Sequence, residues 1–227
     1  MNIKKIVAFD CGHGGLIHDR GLNGFCNEYQ KNKEVLGSIM KYAKEDNLIN
    51  FIITNPPEFS IRNLKDDLLY RVDVANKYNA DIFVSIHHNA GGGNGTEVYS
   101  LTAEGMLLSS FILDEYVKIG YANRGVKNSD FFILKNTNMI SCLVQGWYID
   151  SKDYKNFNAD KEARAILNGI YKYFNLIEDE EEKYHIVGIS ENLWQISKKL
   201  GVSMEYLKEK NSIRDINFLR IGDKIYY

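Results

Sequence analysis

The feature that most constrains the fold is an alternation of short apolar runs with longer stretches of helical period. Residues 3–9, 50–54 and 81–87 are apolar or β-branched runs of strand length. Between them, residues 27–46 and the segment that follows residue 60 place apolar side chains on one face of a helix. Strands that alternate with helices indicate a mostly parallel, twisted sheet covered by helices on both faces. The predicted class is therefore α/β.

The same alternation continues to residue 174. Ser60 is the predicted N-cap of the second helix, because its hydroxyl precedes an apolar periodic stretch. The later predicted elements are a strand at residues 96–100, a helix at 104–118, strands near 131–134 and 141–144, and a helix at 160–174.

An acidic run at residues 177–183 contains one apolar residue and is typical of a solvated linker. We therefore predict a large domain at residues 1–176 and a small one at 184–227. The small domain carries a strand, two short amphipathic helices and a strand, which predicts a βααβ unit.

Charge and cysteine content exclude several classes of protein. A formal net charge of -2 gives no basis for binding nucleic acid. Three cysteines do not indicate a disulfide scaffold. Residues 1–15 lack the apolar core of a secretory signal, and no stretch approaches the ~20 apolar residues of a membrane span. We expect synthesis in the cytoplasm without a signal peptide and no membrane partner.

Three potential metal ligands lie at the carboxyl ends of predicted strands or at the start of the first helix. His13 follows the first strand in FDCGHGG, His87 ends the third strand in VSIHHNA, and Glu28 opens the helix. Ligands bind at this edge of such sheets, and a catalytic zinc takes three His or carboxylate ligands with one position open. His88 is predicted to point to the opposite face of its strand.

Other side chains near these segments have two interpretations each. His18 is either a solvated loop residue or a substrate contact. Cys11 and Cys26 are either small buried side chains or ligands for a soft metal.

The stretches VAFDCGHGG, NEYQKN, YRVDVANKYNADIFVSIHHNA and GTEVYS, in this order, resemble the zinc-dependent N-acetylmuramoyl-L-alanine amidases of bacterial and phage cell-wall lysis. The resemblance covers about residues 3–174. It implies that His13, Glu28 and His87 bind Zn²⁺. Arg71, in YRVDVAN, matches a residue common in the family. Its role is either a helix-surface ion pair or a substrate contact.

The resemblance also implies a reaction: hydrolysis of the amide between the lactyl group of N-acetylmuramic acid and L-alanine by zinc-activated water, with a Glu as general base. LVQGWYID aligns with the segment that carries this Glu, and Gln145 stands in its place. An amide has no proton to exchange near neutral pH. Gln145 is either a substitution introduced to trap an inactive form or a natural residue of a non-hydrolytic binder. Glu97 is the nearest alternative carboxylate, with a structural or substrate-contact role as the other interpretation.

Residues 184–227 resemble a LysM module, with Tyr184, the Leu193-Trp194 pair, Asn211 and the closing Gly222-Asp223 at matching positions. This resemblance implies binding to N-acetylglucosamine-containing glycan such as peptidoglycan. The candidate contact residues lie in two loops: Gly188, Ile189, Ser190, Glu191, Asn217, Phe218 and Leu219.

Both halves therefore indicate one substrate, peptidoglycan. The expected protein is an amidase that acts on the cell wall after release, as a phage endolysin or an autolysin freed by mother-cell lysis. The alternative is a non-catalytic wall-binding protein that keeps the zinc fold.

Overall fold

A computed structural model describes residues 4–177, 183–216 and 218–227. The chain divides into two compact units, Met1–Ile177 and Glu178–Tyr227. Residues 178–182 of the acidic run lie outside the described residues, so the linker stays a prediction.

The first unit is built on a six-stranded sheet of β1 Lys5–Cys11, β2 Ile49–Ile53, β3 Ile82–Asn89, β4 Thr96–Ser100, β5 Asn123–Asn128 and β6 Ile140–Tyr148. The strand order in the sheet is β2-β1-β3-β6-β4-β5. Within this sheet, the pairs β1–β2, β1–β3, β3–β6 and β4–β5 are parallel, and the pair β4–β6 is antiparallel. The sheet is thus mostly parallel, as the sequence predicts.

Helices cover both faces of this sheet. They are α1 Glu28–Ala43, α2 Leu64–Lys77, α3 Ala103–Lys118, α4 Phe132–Asn136 and α5 Ala159–Tyr173, with a 3-10 helix at Lys152–Asn156. The helices α1, α3 and α5 pack on one face through a large cluster that includes Val35, Ile112 and Ile166. The helices α2 and α4 pack on the other face through a smaller cluster that includes Val72 and Leu134. The predicted α/β class with helices on both faces is confirmed.

Two local predictions are wrong. The run at 131–134 is not a strand: it forms α4, with Ile133 and Leu134 buried, and the strand of this region is β5. Ser60 does not cap α2. Its hydroxyl donates to the carbonyl of Pro57, and the side chain of Asn63 accepts the capping hydrogen bond from the amide of Asp66. Asn63 is the residue immediately before the first helical turn, where a cap acts.

The second unit has the predicted βααβ order. It comprises β7 Tyr184–Ile186, α6 Leu193–Leu200, α7 Met204–Lys210 and β8 Lys224–Tyr226, with β7 antiparallel to β8. A capping box of Asn192 and Gln195 begins α6, and Gly201 ends it in a left-handed conformation. This unit has its own small core: Val187, Leu193, Ile196, Leu207 and Ile225.

Across the described residues, every helix is too short or too polar to span a bilayer.

Candidate active site

A His-Glu-His cluster lies at the carboxyl-terminal edge of the sheet. His13 comes two residues after β1, His87 lies near the end of β3, and Glu28 is the first residue of α1. Glu28 Oε2 is 3.1 Å from His13 Nε2, and Glu28 Oε1 is 2.9 Å from His87 Nδ1. One potential ligand atom from each of the three residues lies within 4.8 Å of the others. The structure therefore brings together the three residues that the sequence places at this edge.

The two separations between Glu28 and the histidines, 3.1 and 2.9 Å, are near the ligand spacing of a tetrahedral metal site. Zinc–ligand distances near 2.0–2.1 Å put neighbouring ligand atoms about 3.3 Å apart. Asp19 binds His13 Nδ1 through both carboxylate oxygens, at 3.0 and 2.9 Å, which leaves Nε2 directed toward Glu28. A carboxylate behind a ligating histidine fixes its ring and tautomer. Glu28 is buried, whereas His13 and His87 are partly exposed, so the site is open on one side.

The charges of the cluster favour a bound cation. Burial alone would lower the pKa of His13, but its hydrogen bonds to Glu28 and Asp19 raise the pKa to about 9. Burial opposes ionisation of Glu28, yet hydrogen bonds from His13 and His87 hold its pKa well below the usual range. Glu28 is thus ionised, and a metal ion bound at the cluster would displace the proton that Glu28 shares with His13.

Two glycines allow this close approach. A Cβ at Gly12 would lie 2.2 Å from the ring of His87. A Cβ at Gly21 would lie 2.6 Å from Glu28 Oε2 and 2.6 Å from the ring of His13. Any larger residue at either position would push a ligand out of place, which accounts for glycines in the loops around the cluster.

Arg71 is an interior residue with a side chain 2% exposed. Its Nη1 donates to Asp10 and to the carbonyl of Cys11, both at 2.7 Å, and its Nη2 donates to the carbonyl of His13 at 2.8 Å. Its Nε donates to Asp67 at 3.0 Å. This placement fits neither a helix-surface ion pair nor a direct contact with substrate. Arg71 instead holds the loop that carries His13.

His88 faces away from the cluster, as strand alternation predicts. Its Nδ1 lies 2.7 Å from Asn32 Oδ1 and its Nε2 lies 3.2 Å from Glu162 Oε2. Glu162 also accepts hydrogen bonds from Tyr116 and Tyr121. This buried network ties β3 to α1, α3 and α5 and was not identified from the sequence, because its members are far apart in the chain.

Gln145 lies beside His87 on the neighbouring strand. It is in register with His87 of β3 on one side and with Glu97 of β4 on the other. Directly paired residues point to the same face of a sheet, so the three side chains form a row. Gln145 Oε1 is buried and has no hydrogen-bond partner among the described residues. An unpaired buried acceptor is costly and is typical of a site that a ligand or water completes.

Glu97 is a buried and fully engaged carboxylate. Its Oε1 accepts from Asn89 and from the hydroxyl of Tyr99, each at 2.8 Å. Its Oε2 accepts from Arg124 at 3.0 Å and from Lys127. Burial raises the pKa of Glu97, but these donors outweigh it and lower the pKa below the usual value. Glu97 is therefore a poor proton acceptor.

The remaining candidates of the first unit lie outside the cluster. Cys11 is buried and Cys26 half-buried, and burial raises the pKa of both thiols. A protonated thiol is a poor metal ligand. His18 is exposed in its loop.

The loop residues of the second unit divide into structural and exposed side chains. Glu191 accepts from the amide of Gly188 at 2.8 Å and binds His185 Nε2 at 2.5 Å, and these bonds lower the pKa of Glu191 to about 2. Ile189 is 82% exposed and Phe218 is 78% exposed. Ser190 is also exposed and Leu219 packs against the core, whereas Asn217 lies outside the described residues.

An α/β sheet with a His-Glu-His cluster at the carboxyl ends of its central strands is the arrangement of a metal-dependent hydrolase. Residues 7–173 match the N-acetylmuramoyl-L-alanine amidase family, Amidase_3, and the chain belongs to this family. Residues 185–226 match the LysM domain.

Known relatives agree with this assignment. The chain is 32% identical over 225 residues to the endolysin of Bacillus phage SPP1, and this alignment covers 92% of this chain and 73% of the endolysin. It is 25% identical over 189 residues to the N-acetylmuramoyl-L-alanine amidase CwlM of Bacillus licheniformis, covering 79% of this chain and 73% of the relative. The solved structure of the N-acetylmuramoyl-L-alanine amidase AmiC2 of Nostoc punctiforme superposes with a TM-score of 0.66 at 26% identity, over 77% of this chain and 99% of that one.

Proposed function

We propose that this peptidoglycan amidase uses Zn²⁺ held by His13, Glu28 and His87 to hydrolyse the amide between N-acetylmuramic acid and L-alanine. The observation that carries the proposal is the cluster of three ligand atoms within 4.8 Å in a chain of the amidase family. When bound, zinc polarises the scissile carbonyl and acidifies a water molecule at its open position.

The other residues of the site orient this ligand set. Asp19 fixes the ring of His13 through Nδ1, and Arg71 fixes its backbone through the carbonyl. Gln145 lies next to His87, where it can donate a hydrogen bond from its amide nitrogen or accept one at Oε1. It cannot take a proton from the nucleophile or return one to the leaving amine. We infer that Gln145 slows the reaction, since general acid–base catalysis contributes ~10² to 10⁴ in rate.

Replacement of Gln145 by Glu tests this mechanism. Gln145→Glu is expected to raise hydrolysis of soluble muropeptide by roughly tenfold or more, because the carboxylate supplies the missing proton transfer. The measurement is release of stem peptide by the zinc-loaded protein. Gln30→Glu adds the same charge on the exposed side of α1 and is expected to leave the rate unchanged. Removal of zinc by a chelator is expected to abolish hydrolysis in every form. Equal and measurable rates for the unmodified protein and Gln145→Glu would overturn the assignment of position 145.

A non-catalytic wall-binding protein is the second candidate, and the amide at position 145 favours it. In that case both the unmodified protein and Gln145→Glu bind purified walls and zinc but release no stem peptide. The comparison of the two forms therefore separates a disabled general base from a site that has lost catalysis altogether.

We infer that the LysM unit binds the N-acetylglucosamine-containing glycan of the wall. The exposed apolar side chains of Ile189 and Phe218 support this, since both are available to pack on sugar rings. Phe218 and Leu219 line a concavity of about 670 Å³ in this unit. Glu191 is assigned a structural role instead, because its carboxylate closes the first loop. We also infer that the protein acts on the wall during lysis, as an endolysin or autolysin does.

A further inference from the structure

Two cations on the edge strand β5 share one buried carboxylate. Arg124 Nε and Lys127 Nζ both donate to Glu97 Oε2, while the side chain of Glu97 is 3% exposed. A single cation suffices to neutralise Glu97. The group of three therefore carries one surplus positive charge at neutral pH.

This surplus charge lies on the same face of the sheet as the metal ligands. Glu97 pairs with Gln145, and Gln145 pairs with His87, on three neighbouring strands. With neighbouring strands about 4.8 Å apart, the backbone of Glu97 lies about 10 Å from that of His87. An extended peptide advances about 3.3–3.6 Å per residue, so the second or third residue beyond the scissile amide reaches Glu97.

The two cations keep donors for a ligand. Their side chains are 36% and 38% exposed. The guanidinium of Arg124 lies 4.9 Å from the ring centre of Tyr148, and neither of its Nη atoms makes a hydrogen bond within the described parts of the chain. Lys127 has further N–H donors besides the one directed at Glu97. A guanidinium fork with free Nη donors matches the geometry of a carboxylate.

We propose that Arg124 and Lys127 form a subsite for a carboxylate of the stem peptide, on the peptide side of the scissile amide. The inference rests on the proposed function, because its ligand is the amidase substrate. The N-acetylated sugars carry no charge, so a cationic subsite distinguishes the peptide from the glycan. Glu97 then positions the two cations and takes no part in proton transfer.

Binding of three soluble ligands to the zinc-loaded protein tests the subsite. The ligands are N-acetylmuramoyl-L-alanyl-D-glutamate, its isoglutamine analogue and the corresponding diamide, which carry two, one and no carboxylates. Calorimetry at millimolar ligand is expected to show roughly tenfold or greater loss of affinity from the dicarboxylate to the diamide, as loss of a charged hydrogen bond produces. The readout is binding, so it does not depend on the rate of hydrolysis.

Variants assign the preference to the two side chains. In Arg124→Gln, Lys127 still pairs with Glu97, and in Lys127→Gln, Arg124 still does. Neither variant therefore leaves the buried Glu97 carboxylate without a cation. Each variant is expected to reduce the ratio of affinities for the dicarboxylate and the diamide to about threefold or less, because a charged hydrogen bond is removed. Glu97→Gln releases both cations and is expected to increase the preference. Lys77→Gln, exposed at the far end of α2, removes the same charge away from the site and should leave the preference unchanged.

The outcomes separate this inference from the proposed function. Equal affinity of the unmodified protein for all three ligands overturns the subsite and leaves the amidase assignment intact. A carboxylate preference that persists in both Arg124→Gln and Lys127→Gln also overturns it. Failure of all three ligands to bind overturns the muramyl-peptide substrate and the subsite with it.

Discussion

His13 enters the His-Glu-His cluster from a backbone conformation that few residues other than glycine adopt. Its φ is 69°, in the left-handed region. Such a conformation persists only where the surroundings hold it. Arg71 provides that restraint through its hydrogen bond to the carbonyl of His13, and its charge is balanced by Asp10 and Asp67. The position of His13 in the cluster therefore depends on the buried ion pairs of Arg71 with Asp10 and Asp67.

Arg71→Met is expected to destabilise the first unit by about 3–5 kcal/mol, since it leaves Asp10 and Asp67 buried without their cation. Zinc affinity is expected to fall as well, because the loop of His13 loses its restraint. Urea unfolding and a zinc titration measure the two effects. Arg62→Met, at an exposed position, is the control and should change neither. A stable Arg71→Met protein with unchanged zinc affinity would show that the loop holds its own conformation.

At the scale of helices and strands, periodic segments were predictable and non-periodic ones were not. The helices α1, α3 and α5 carry clear apolar stripes, and their predicted positions agree with the structure to within a few residues. The run Phe131–Leu134 was misassigned because four consecutive apolar residues fit a strand and a short helix equally well. The strand β5 was missed because it lies at the edge of the sheet, and its sequence NRGVKN has no apolar alternation.

The same distinction applies to the candidate site. His13, Glu28 and His87 stand in local motifs that the sequence displays. The row of His87, Gln145 and Glu97 depends on the register of β3, β6 and β4, which includes the antiparallel pair. The order of these strands in the sheet is not the order in which they occur in the chain, so this row follows only from the tertiary structure.

Two helical glycines are expected to respond in opposite directions to alanine. A Cβ on Gly169 of α5 would lie 2.7 Å from Cα of Ile112 and 2.8 Å from its amide nitrogen, so α3 and α5 would have to separate. Gly169→Ala is expected to destabilise the first unit by about 1–3 kcal/mol. Gly37 of α1 has open space around it, and Gly37→Ala is expected to stabilise by roughly 0.5–1 kcal/mol. Urea denaturation of the two variants measures both effects. An unchanged or stabilised Gly169→Ala protein would contradict this account of α3–α5 packing, and a destabilised Gly37→Ala protein would contradict the open space assigned to Gly37.

At the scale of the whole molecule, the two units have separate cores. Among the residues that the structure describes, the clusters of the first unit end at Leu176, and the core of the second begins at Val187. Separate cores favour independent folding. They also allow catalysis and wall binding to be divided between the units, and a wall-bound LysM unit would raise the concentration of the amidase at its polymeric substrate.

Truncation after Ile177 separates the two contributions, and Gln145→Glu serves as the background so that hydrolysis is measurable. Because the first unit keeps its own core, residues 1–177 are expected to unfold cooperatively and to hydrolyse soluble muropeptide at the rate of the full chain. Hydrolysis of purified walls is expected to fall by roughly tenfold or more, since a tether can raise avidity by ~10² to 10⁴. Ile225→Asp in the full chain places a charge in the core of the second unit and is expected to reproduce the truncation. Equal rates on walls with and without the second unit would mean that the amidase unit binds its substrate unaided. A loss of activity on the soluble substrate would show that the first unit depends on the second for its fold.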